Sequence, residues 1–420
     1  MKIFIKTKII TKILPTILIA ILLVGLVFIF QTDTKKVESA WYGSGGSWVY
    51  RKPITIDNTK VSGGSALSNF PMLFSVTDTD LKDTTNGGKM GKSDGTDMLF
   101  TSSDGTTKLS HEIASYNSTT GEVTVWVKIP SLSNSVDTTI YVYYGNASAA
   151  DQQDITGTWN SNYVGVYHMN EDPSGTAPQV LDSTSNNYDL TSAGSMTSGD
   201  LVAGKFDSAI DYDGSDDKLT NGSVTGVSGY PITVSAWSKA TTGDNGTQRS
   251  VAGIGNSIAN NDYVAVGWSS TTGKARAAVR TGGSYNSIGT GTVIGTDIWT
   301  HIVAVFRSAT DREYYVDGVS KGSETLSRVA PTFSAIAVGG AYGGSSVFAT
   351  IDEARILTTS LSADWITTEY NNQSATSTFY TYSVGDTSET NNTGGSIKVV
   401  KDSSGNPAPA VKLRGGVKFR

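Results

Sequence analysis

Cysteine is absent from this 420-residue chain, and histidine occurs only three times. The absence of cysteine excludes disulfide bonds, a thiol nucleophile and zinc sites with sulfur ligands. Hydrophobic burial, with metal ions as a further option, must therefore hold the fold together.

Charged residues are also scarce, at 17% of the chain, and the net charge is −6. An acidic chain disfavours nucleic acid as a partner. Glycine, in contrast, is abundant, with 46 residues. Abundant glycine together with little charge indicates all-β domains with many tight turns and argues against long solvent-exposed helices.

Long hydrophobic runs are limited to one, at residues 13–30, which contains no charged residue. Roughly 18 or more such residues can span a bilayer as a helix. Four lysines precede the run and should hold the N-terminus inside; they are Lys2, Lys6, Lys8 and Lys12. We expect residues 1–40 to be an uncleaved signal anchor that keeps the C-terminal bulk outside, on the cell surface. The alternative is a signal peptide that is cleaved near Ala40, which would secrete the protein.

After this segment, the sequence predicts a linker at residues 41–46 and a first β-sandwich at residues 47–150. Apolar and polar side chains alternate strictly around Trp126, which is typical of a half-buried strand. Five strands are predicted, at residues 49–56, 71–77, 98–101, 122–129 and 139–144.

This first region contains the segments WVYRKPITIDN (48–58), SDGTDMLFTSSDGT (93–106), VWVKIPSL (125–132) and TTIYVYYGN (138–146). In this order they resemble a family known as domain of unknown function 2341. The resemblance covers about residues 47–146, and it implies no established activity.

The second region, about residues 163–386, contains seven short motifs. They are GVYHMNED (165–172), VLDSTSNNYDLT (180–191), GKFDSAIDYDG (204–214), ITVSAWSKA (232–240), WTHIVAVF (299–306), YYVDG (314–318) and IDEARI (351–356). In this order they resemble the concanavalin A-like, laminin-G-like jelly roll of bacterial surface proteins. The resemblance implies a second β-sandwich.

The residues support that reading independently. Residues 302–306 are apolar on both faces, as an inner strand between two packed layers requires. Asp317 and Gly318 predict a hairpin turn. Ser362 is expected to cap a short helix, with Leu361 packing on Ile366 across its first turn.

The end of the second domain and the tail are predicted from composition. We expect a strand at residues 379–386 to close the second domain, and residues 387–420 to form a flexible basic tail. Residues 396–420 carry six basic side chains and one acidic side chain.

The spacing of polar residues argues against an enzyme, and we predict no catalytic residues. His111, His168 and His301 lie in separate strand motifs, away from any Gly-x-Ser-x-Gly pattern, and we interpret them as structural. The His111–Glu112 pair could support acid–base chemistry, but an edge-strand pair is the preferred interpretation.

Glycosidases with this sandwich place their carboxylates in a Glu-x-Asp-x-x-Glu pattern on one strand, and no such pattern occurs here. The nearest pair is Asp352 and Glu353. We expect these adjacent residues to point to opposite faces of a strand, where they cannot cooperate.

Calcium is the better-supported metal, since it takes about six to eight oxygen ligands and needs neither histidine nor cysteine. The resemblance implies that the segment beginning at Asp182 contributes to a calcium site, with Asp352 as a second carboxylate. Turn formation through local hydrogen bonds is the alternative for both. The acidic run at 211–218 is not an EF-hand, because Gly222 stands where a glutamate is needed.

Three aromatic residues of the first domain are candidates for stacking on a ligand, namely Trp126, Tyr141 and Tyr143. Aromatic rings at strand spacing can lie against sugar faces. Covering a second sheet or a domain interface is the alternative role for these rings.

We therefore expect a non-catalytic cell-surface or secreted protein that binds glycans or mediates adhesion through its jelly roll. The expected partners are a polysaccharide or cell-surface glycan and, through the N-terminal helix, the membrane, with calcium as a candidate cofactor. The alternative is a structural subunit of an envelope layer or appendage. A glycosidase or polysaccharide lyase is the reading with the least support.

Overall fold

The structure is a computed structural model that describes residues 40–240, 248–256, 262–269, 274–288, 294–340, 346–385 and 388–391. In that part of the chain no helix is both long enough and apolar enough to cross a bilayer. The predicted anchor at residues 13–30 and the basic segment at 396–420 lie outside the described residues. What is described is almost entirely β-structure, as the sequence predicted.

Seven strands open the first sandwich. They are β1 Tyr50–Ile56, β2 Leu67–Thr77, β3 Leu99–Ser102, β4 Lys108–Leu109, β5 His111–Asn117, β6 Glu122–Leu132 and β7 Thr138–Tyr144. Short 3₁₀ helices lie at Asn58–Lys60, Thr79–Leu81 and Thr84–Asn86. All five predicted strands are confirmed, and β4 and β5 are additional.

A single helical turn, α1 (Ile155–Thr158), precedes the second sandwich. Its first strands are β8 Tyr163–Tyr167, β9 Thr191–Ala193, β10 Leu201–Ala203, β11 Ser208–Asp213, β12 Lys218–Asn221, β13 Ile232–Ala240 and β14 Gln248–Gly255, with a 3₁₀ helix at Ser198–Asp200. The strands that follow are β15 Tyr263–Ser269, β16 Lys274–Thr281, β17 Ser284–Ile288, β18 Trp299–Ser308, β19 Asp311–Val316, β20 Val319–Glu324, β21 Ala335–Val338 and β22 Phe348–Leu357.

Four short elements end the described chain. They are α2 Ala363–Ser374, α3 Thr376–Phe379, β23 Tyr380–Thr381 and β24 Glu389–Thr390. The predicted helix is confirmed as α2, and the Ser362 side chain accepts a hydrogen bond from the Trp365 backbone N–H at its first turn. Leu361 and Ile366 are both buried in one cluster, as the predicted staple requires.

The first sandwich packs a six-stranded sheet, in the order β23-β1-β7-β3-β4 with β24 also on β1, against a three-stranded sheet in the order β2-β6-β5. The alternating valines of β6 face the core between them. The second sandwich packs an eight-stranded sheet, β10-β11-β22-β13-β18-β19-β20 with β8 on β22, against a seven-stranded sheet, β17-β16-β15-β14-β21-β12-β9. Its hairpin at Asp317 and Gly318 is confirmed, with positive φ at both residues.

The end of the chain corrects the predicted domain boundary. Residues 379–386 were expected to close the second sandwich, but β23 pairs with β1 of the first sandwich through Thr381 and Thr55. Phe379 and Tyr380 are buried in the core of the first sandwich. The second sandwich is therefore inserted between two parts of the first, and residues 388–391 of the predicted tail complete the first sandwich's sheet through β24.

The burial of Phe379 yields a test of this connectivity. We expect Phe379→Ala to lower the free energy of unfolding by about 3–5 kcal/mol, because a large buried side chain is lost and a cavity remains. Hydrogen exchange should rise in β1 and β2, which lie in the first sandwich, and not in β15. Chemical denaturation and exchange mass spectrometry measure both effects.

Val384→Ala is the control, since this side chain is 58% exposed and should cost less than about 0.5 kcal/mol. Faster exchange confined to the second sandwich in Phe379→Ala would contradict the assignment.

Candidate functional site

Trp126 does not lie on an open face. It is fully buried where the three-stranded sheet of the first sandwich meets the outer face of the eight-stranded sheet. We call this contact region the junction, and its apolar residues are Leu73, Trp126, Trp159, Tyr163, Val166, Val303, Val305, Tyr315, Leu357, Leu361 and Ile366. A ring without exposed surface cannot stack on a sugar, so the prediction for Trp126 is wrong, and the alternative role in an interface is what the structure has.

Tyr143 is also fully buried, so the stacking prediction is wrong for this residue as well. Tyr141 is half-buried, and its ring lies 4.5 Å from the Arg51 guanidinium carbon. The predicted linker supplies their cover: the Trp41 ring lies 5.5 Å from the Tyr143 ring and 4.5 Å from the same guanidinium carbon. Residues 41 and 42 therefore pack on the first sandwich rather than forming a free linker.

The junction contains a buried row of charges that connects the two sandwiches. His168 lies between two carboxylates, with Nδ1 2.7 Å from Glu353 and Nε2 3.2 Å from Glu112. Glu112 also accepts hydrogen bonds from the Trp159 indole and the Ser183 hydroxyl, both at 2.6 Å. Burial lowers the pKa of His168, but the charges of Glu353 and Glu112 outweigh it and raise that pKa well above its ordinary value.

Arg355 continues this row toward helix α2. Its guanidinium donates to Glu353 at 2.9 Å and to Glu369 at 2.7 Å, and its central carbon lies 4.1 Å from the Trp126 ring centre. Burial raises the pKa of Glu369, and the Arg355 charge opposes that shift. At the end of this row, the Gln373 side-chain oxygen accepts a hydrogen bond from the Trp237 indole N–H.

A β-bulge places the two adjacent acids of β22 on one face, which corrects the prediction that they diverge. Ile351 and Ala354 both face the core. Two residues lie between these inward-facing positions, whereas a regular strand would have only one. The register between β13 and β22 shifts at this point, and Glu353 has a φ of 52°. Asp352 and Glu353 therefore share the junction face, but both are buried among protein partners and cannot reach a substrate.

The other two histidines do not take part in this row. His111 and His301 are buried, and burial lowers the pKa of His111 to about 4 and that of His301 to about 3. Both are therefore neutral near pH 7. The expectation that they are structural agrees with this burial.

The carboxylates of both predicted calcium ligands accept hydrogen bonds from backbone N–H groups of the protein. Asp182 accepts hydrogen bonds from the backbone N–H groups of Val166, Thr184 and Tyr188. Asp352 accepts from the backbone N–H groups of residues 205 and 206. These hydrogen bonds fit the alternative role, in which both aspartates stabilise local turns. Calcium binding at Asp182 and Asp352 stays a prediction.

The described residues contain one group of three carboxylates that are close enough to hold an ion together, Asp213, Asp216 and Asp217. These residues lie at the end of β11 and in the turn that follows it, within the acidic run at 211–218. The Asp213 carboxylate accepts from the backbone N–H of Ser215, which is a local turn bond.

The outer face of the seven-stranded sheet has a different character. Its central row is built from residues with little or no side chain, because Ala337 pairs with Gly253, Gly253 with Ala265, and Ala265 with Ala278. The groove above this small-residue floor has a volume of only about 10 Å³. The floor itself therefore offers little room for a ligand.

Larger side chains lie on the same outer face over β15, β16 and β17. Ala275, Ala277 and Val279 of β16 face the core, so Arg276 and Arg280 face outward. Arg280 pairs with Tyr263 on one side and with Tyr285 on the other. We call Tyr263, Arg276, Arg280 and Tyr285 the tyrosine–arginine patch.

Within the patch, Tyr263, Arg280 and Tyr285 are half-buried, whereas Arg276 is 3% exposed. The Arg276 guanidinium carbon lies 5.5 Å from the Tyr285 ring centre. Burial raises the pKa of Tyr285, and the charge of Arg276 opposes that shift. Aromatic rings beside guanidinium groups can bind a ligand that is both flat and polar.

The patch was not predicted from the sequence. The signal was present as alternation in KARAAVRT (274–281), where arginine and small residues take alternate positions. Without the register of β15, β16 and β17, nothing indicated that two tyrosines would flank these arginines.

Comparison with known families identifies the second sandwich. Residues 213–367 match the family described as concanavalin A-like lectin/glucanases superfamily. The chain carries a concanavalin A-like domain. It follows a segment, residues 94–180, that matches domain of unknown function 2341, so the predicted order of the two families is confirmed. No curated protein sequence matches this chain.

Several solved structures resemble the chain at low identity. Domain 4 of AbnA, a GH43 extracellular arabinanase from Geobacillus stearothermophilus solved with arabinotriose, is 20% identical, with a TM-score of 0.39 over 49% of this chain and 97% of that one. The binding domain of Paraclostridial Mosquitocidal Protein 1 is 17% identical, with a TM-score of 0.38 over 50% and 52%. The receptor binding domain of a botulinum neurotoxin C/D mosaic serotype is 14% identical, with a TM-score of 0.37 over 51% and 52%. The match thus spans about half the length of the two toxin chains.

The charge row predicts how stability depends on pH. Because the folded-state pKa of His168 is raised, its contribution is fully present below about pH 6.5 and is lost as pH rises through the folded pKa. We expect the free energy of unfolding to fall above pH 6.5, by up to about 1.4 kcal/mol per pH unit for one proton. His168→Gln should be less stable at pH 6 and should show a shallower fall, measured by urea denaturation between pH 6 and 9.

His301→Gln is the matched control with the opposite sign. The pKa of His301 is lowered to about 3, so this histidine reduces stability as pH falls below about 6.5. Its replacement should flatten the acid side of the profile and leave the alkaline side unchanged. An alkaline slope that is identical in wild type and His168→Gln would contradict the charged state of His168.

Proposed function

We propose that this protein is a non-catalytic cell-surface or secreted protein that binds glycans through the tyrosine–arginine patch of its concanavalin A-like domain. The row of Tyr263, Arg280 and Tyr285 carries the proposal. It combines ring faces that can pack on the apolar side of a sugar with donors that suit its oxygen atoms.

The position of the patch supports the proposal. The junction covers the outer face of the eight-stranded sheet, where Val303 and Val305 pack against Leu73 and Trp126 of the first sandwich. The patch lies on the opposite sheet, away from that interface. A ligand can bind there without separating the two sandwiches.

The composition of the seven-stranded sheet supports binding rather than hydrolysis. None of its strands contains aspartate or glutamate, as the bounds of β9, β12, β14, β15, β16, β17 and β21 show. Glycosidases generally need two carboxyl groups that flank the scissile bond, about 5–10 Å apart. The buried acids of the junction, Glu112, Glu353 and Glu369, bind protein groups instead.

A glycan array with full-length protein tests the proposal. We expect binding to a subset of polysaccharides, and Tyr285→Ala should weaken it about two- to twelvefold, the equivalent of one aromatic contact. Tyr141→Ala is the matched control, because Tyr141 is a half-buried tyrosine on the first sandwich.

The outcomes separate the competing functions. Loss of binding in Tyr141→Ala alone would move the site to the first sandwich, and binding to no glycan would leave the structural-subunit reading. Release of reducing ends from any bound polysaccharide would overturn the non-catalytic assignment.

A further inference from the structure

Arg276 differs from the other buried arginines in its partners. Of the four arginines that are buried in the described part of the chain, three form an ion pair with a carboxylate at 3.1 Å or less: Arg51 with Glu389, Arg312 with Glu324, and Arg355 with Glu353 and Glu369. Arg276 forms no such pair with any described residue. Its Nε and Nη2 atoms are buried and have no hydrogen-bond partner there.

The register explains why the guanidinium lies above the sheet rather than at its edge. The Arg276 backbone pairs with Gly267, whereas Tyr285, whose ring it approaches at 5.5 Å, pairs with Arg280 further along β16. The side chain must therefore extend along the strand, over the small side chain of Ala278. This brings the charge close to the Tyr285 ring.

An unpaired buried cation is costly, since removal from water costs several kcal/mol per ion and only a well-placed counter-charge offsets it. Burial lowers the pKa of Arg276, because loss of water disfavours its charged form. The strands of this sheet offer no carboxylate. The counter-charge must come from outside these strands.

The two free nitrogens also indicate the shape of the missing group. Nε and Nη2 lie on the same side of the planar guanidinium, and their N–H groups run parallel. A carboxylate accepts both at once, in the two-bond geometry that arginine prefers. A single sugar hydroxyl brings no charge and cannot offer two oxygen atoms at that spacing.

We propose that Arg276 binds the carboxylate of an acidic polysaccharide, that is, one built from uronic acids, while the neighbouring sugar rings pack on Tyr263 and Tyr285. Because Nε and Nη2 are buried, this binding requires the half-buried Tyr285 ring, 5.5 Å from the guanidinium carbon, to move aside. This inference rests on the proposed glycan-binding function and specifies its ligand class. Arg280 adds a second positive charge to the same row. Arg276 sets the preference for acidic sugars, and the tyrosines bind sugar rings of either kind.

Affinities of full-length protein for three polymers test the inference. Polygalacturonate carries the carboxylate, its methyl ester carries the same sugar without the charge, and dextran sulfate carries a different anion. We expect polygalacturonate to bind about 10- to 100-fold more tightly than its ester, which is the range for charge-assisted hydrogen bonds. Arg276→Met should remove this preference, and Arg276→Lys should keep only part of it.

Arg307→Met is the matched control for charge. Arg307 is partly exposed and pairs with Asp311 and Glu313 on the other sheet. Its replacement removes the same charge and should change the affinity less than twofold. An equal loss in both variants would mean that net charge, not the Arg276 fork, sets the affinity, and it would overturn the inference.

The melting temperature without ligand provides an independent measurement. Because Arg276 has no counter-ion among the described residues, Arg276→Met should leave the melting temperature unchanged or raise it, whereas Arg355→Met should lower it by stranding Glu353 and Glu369. A lower melting temperature in Arg276→Met would mean that the guanidinium is paired within the chain, and the inference would be wrong.

The remaining outcomes distinguish this inference from the proposed function. Equal affinity for polygalacturonate and its ester, or tighter binding to dextran sulfate, overturns the carboxylate assignment while glycan binding stands. Failure to bind any polysaccharide overturns both.

Discussion

Arg355 makes the interaction on which the rest of the structure depends. Its guanidinium is bonded to Glu353 on its own strand and to Glu369 on α2, and it lies over Trp126 of the first sandwich. Removal of one partner from such a buried pair typically costs about 3–5 kcal/mol. One side chain thus holds a strand of the second sandwich, the helix that follows it and the first sandwich in a single arrangement.

The position of α2 determines where the chain goes next. Asn372 on this helix donates to the Leu73 carbonyl at 3.0 Å and accepts from the Leu73 N–H at 2.7 Å, so its amide pairs with the edge of β2 as a neighbouring strand would. An exposed strand edge is a site of unwanted pairing, and here a side chain covers it. The helix then delivers Phe379 to the first core, which makes the inserted sandwich part of a closed structure.

Features that depend on a few adjacent residues could be predicted from the sequence. Features that depend on the pairing of distant strands could not. The strand around Trp126, the Asp317–Gly318 turn and the Ser362 cap are encoded in a few adjacent residues, and all are confirmed. The half-buried character predicted for that strand is wrong, because both of its faces are buried. The partner of residues 379–386 depends on a strand more than 300 residues earlier, which no local pattern specifies. The bulge at Glu353 has the same cause, since it is a register shift between β13 and β22.

The face that each aromatic residue presents was the least predictable feature, because burial on the outer face of a sheet depends on what packs there. Trp126 on the polar face of its strand looked exposed, yet the second sandwich covers it. Tyr263 and Tyr285 gave no signal, yet pairing through Arg280 brings them to one surface. The junction uses one outer face of the concanavalin A-like domain for internal contacts and fills it with acids and their cationic partners, so the proposed recognition site is on the opposite sheet. The strands of that sheet contain no acids, and Arg276 has no partner among the described residues, which is why we propose an anionic ligand for it.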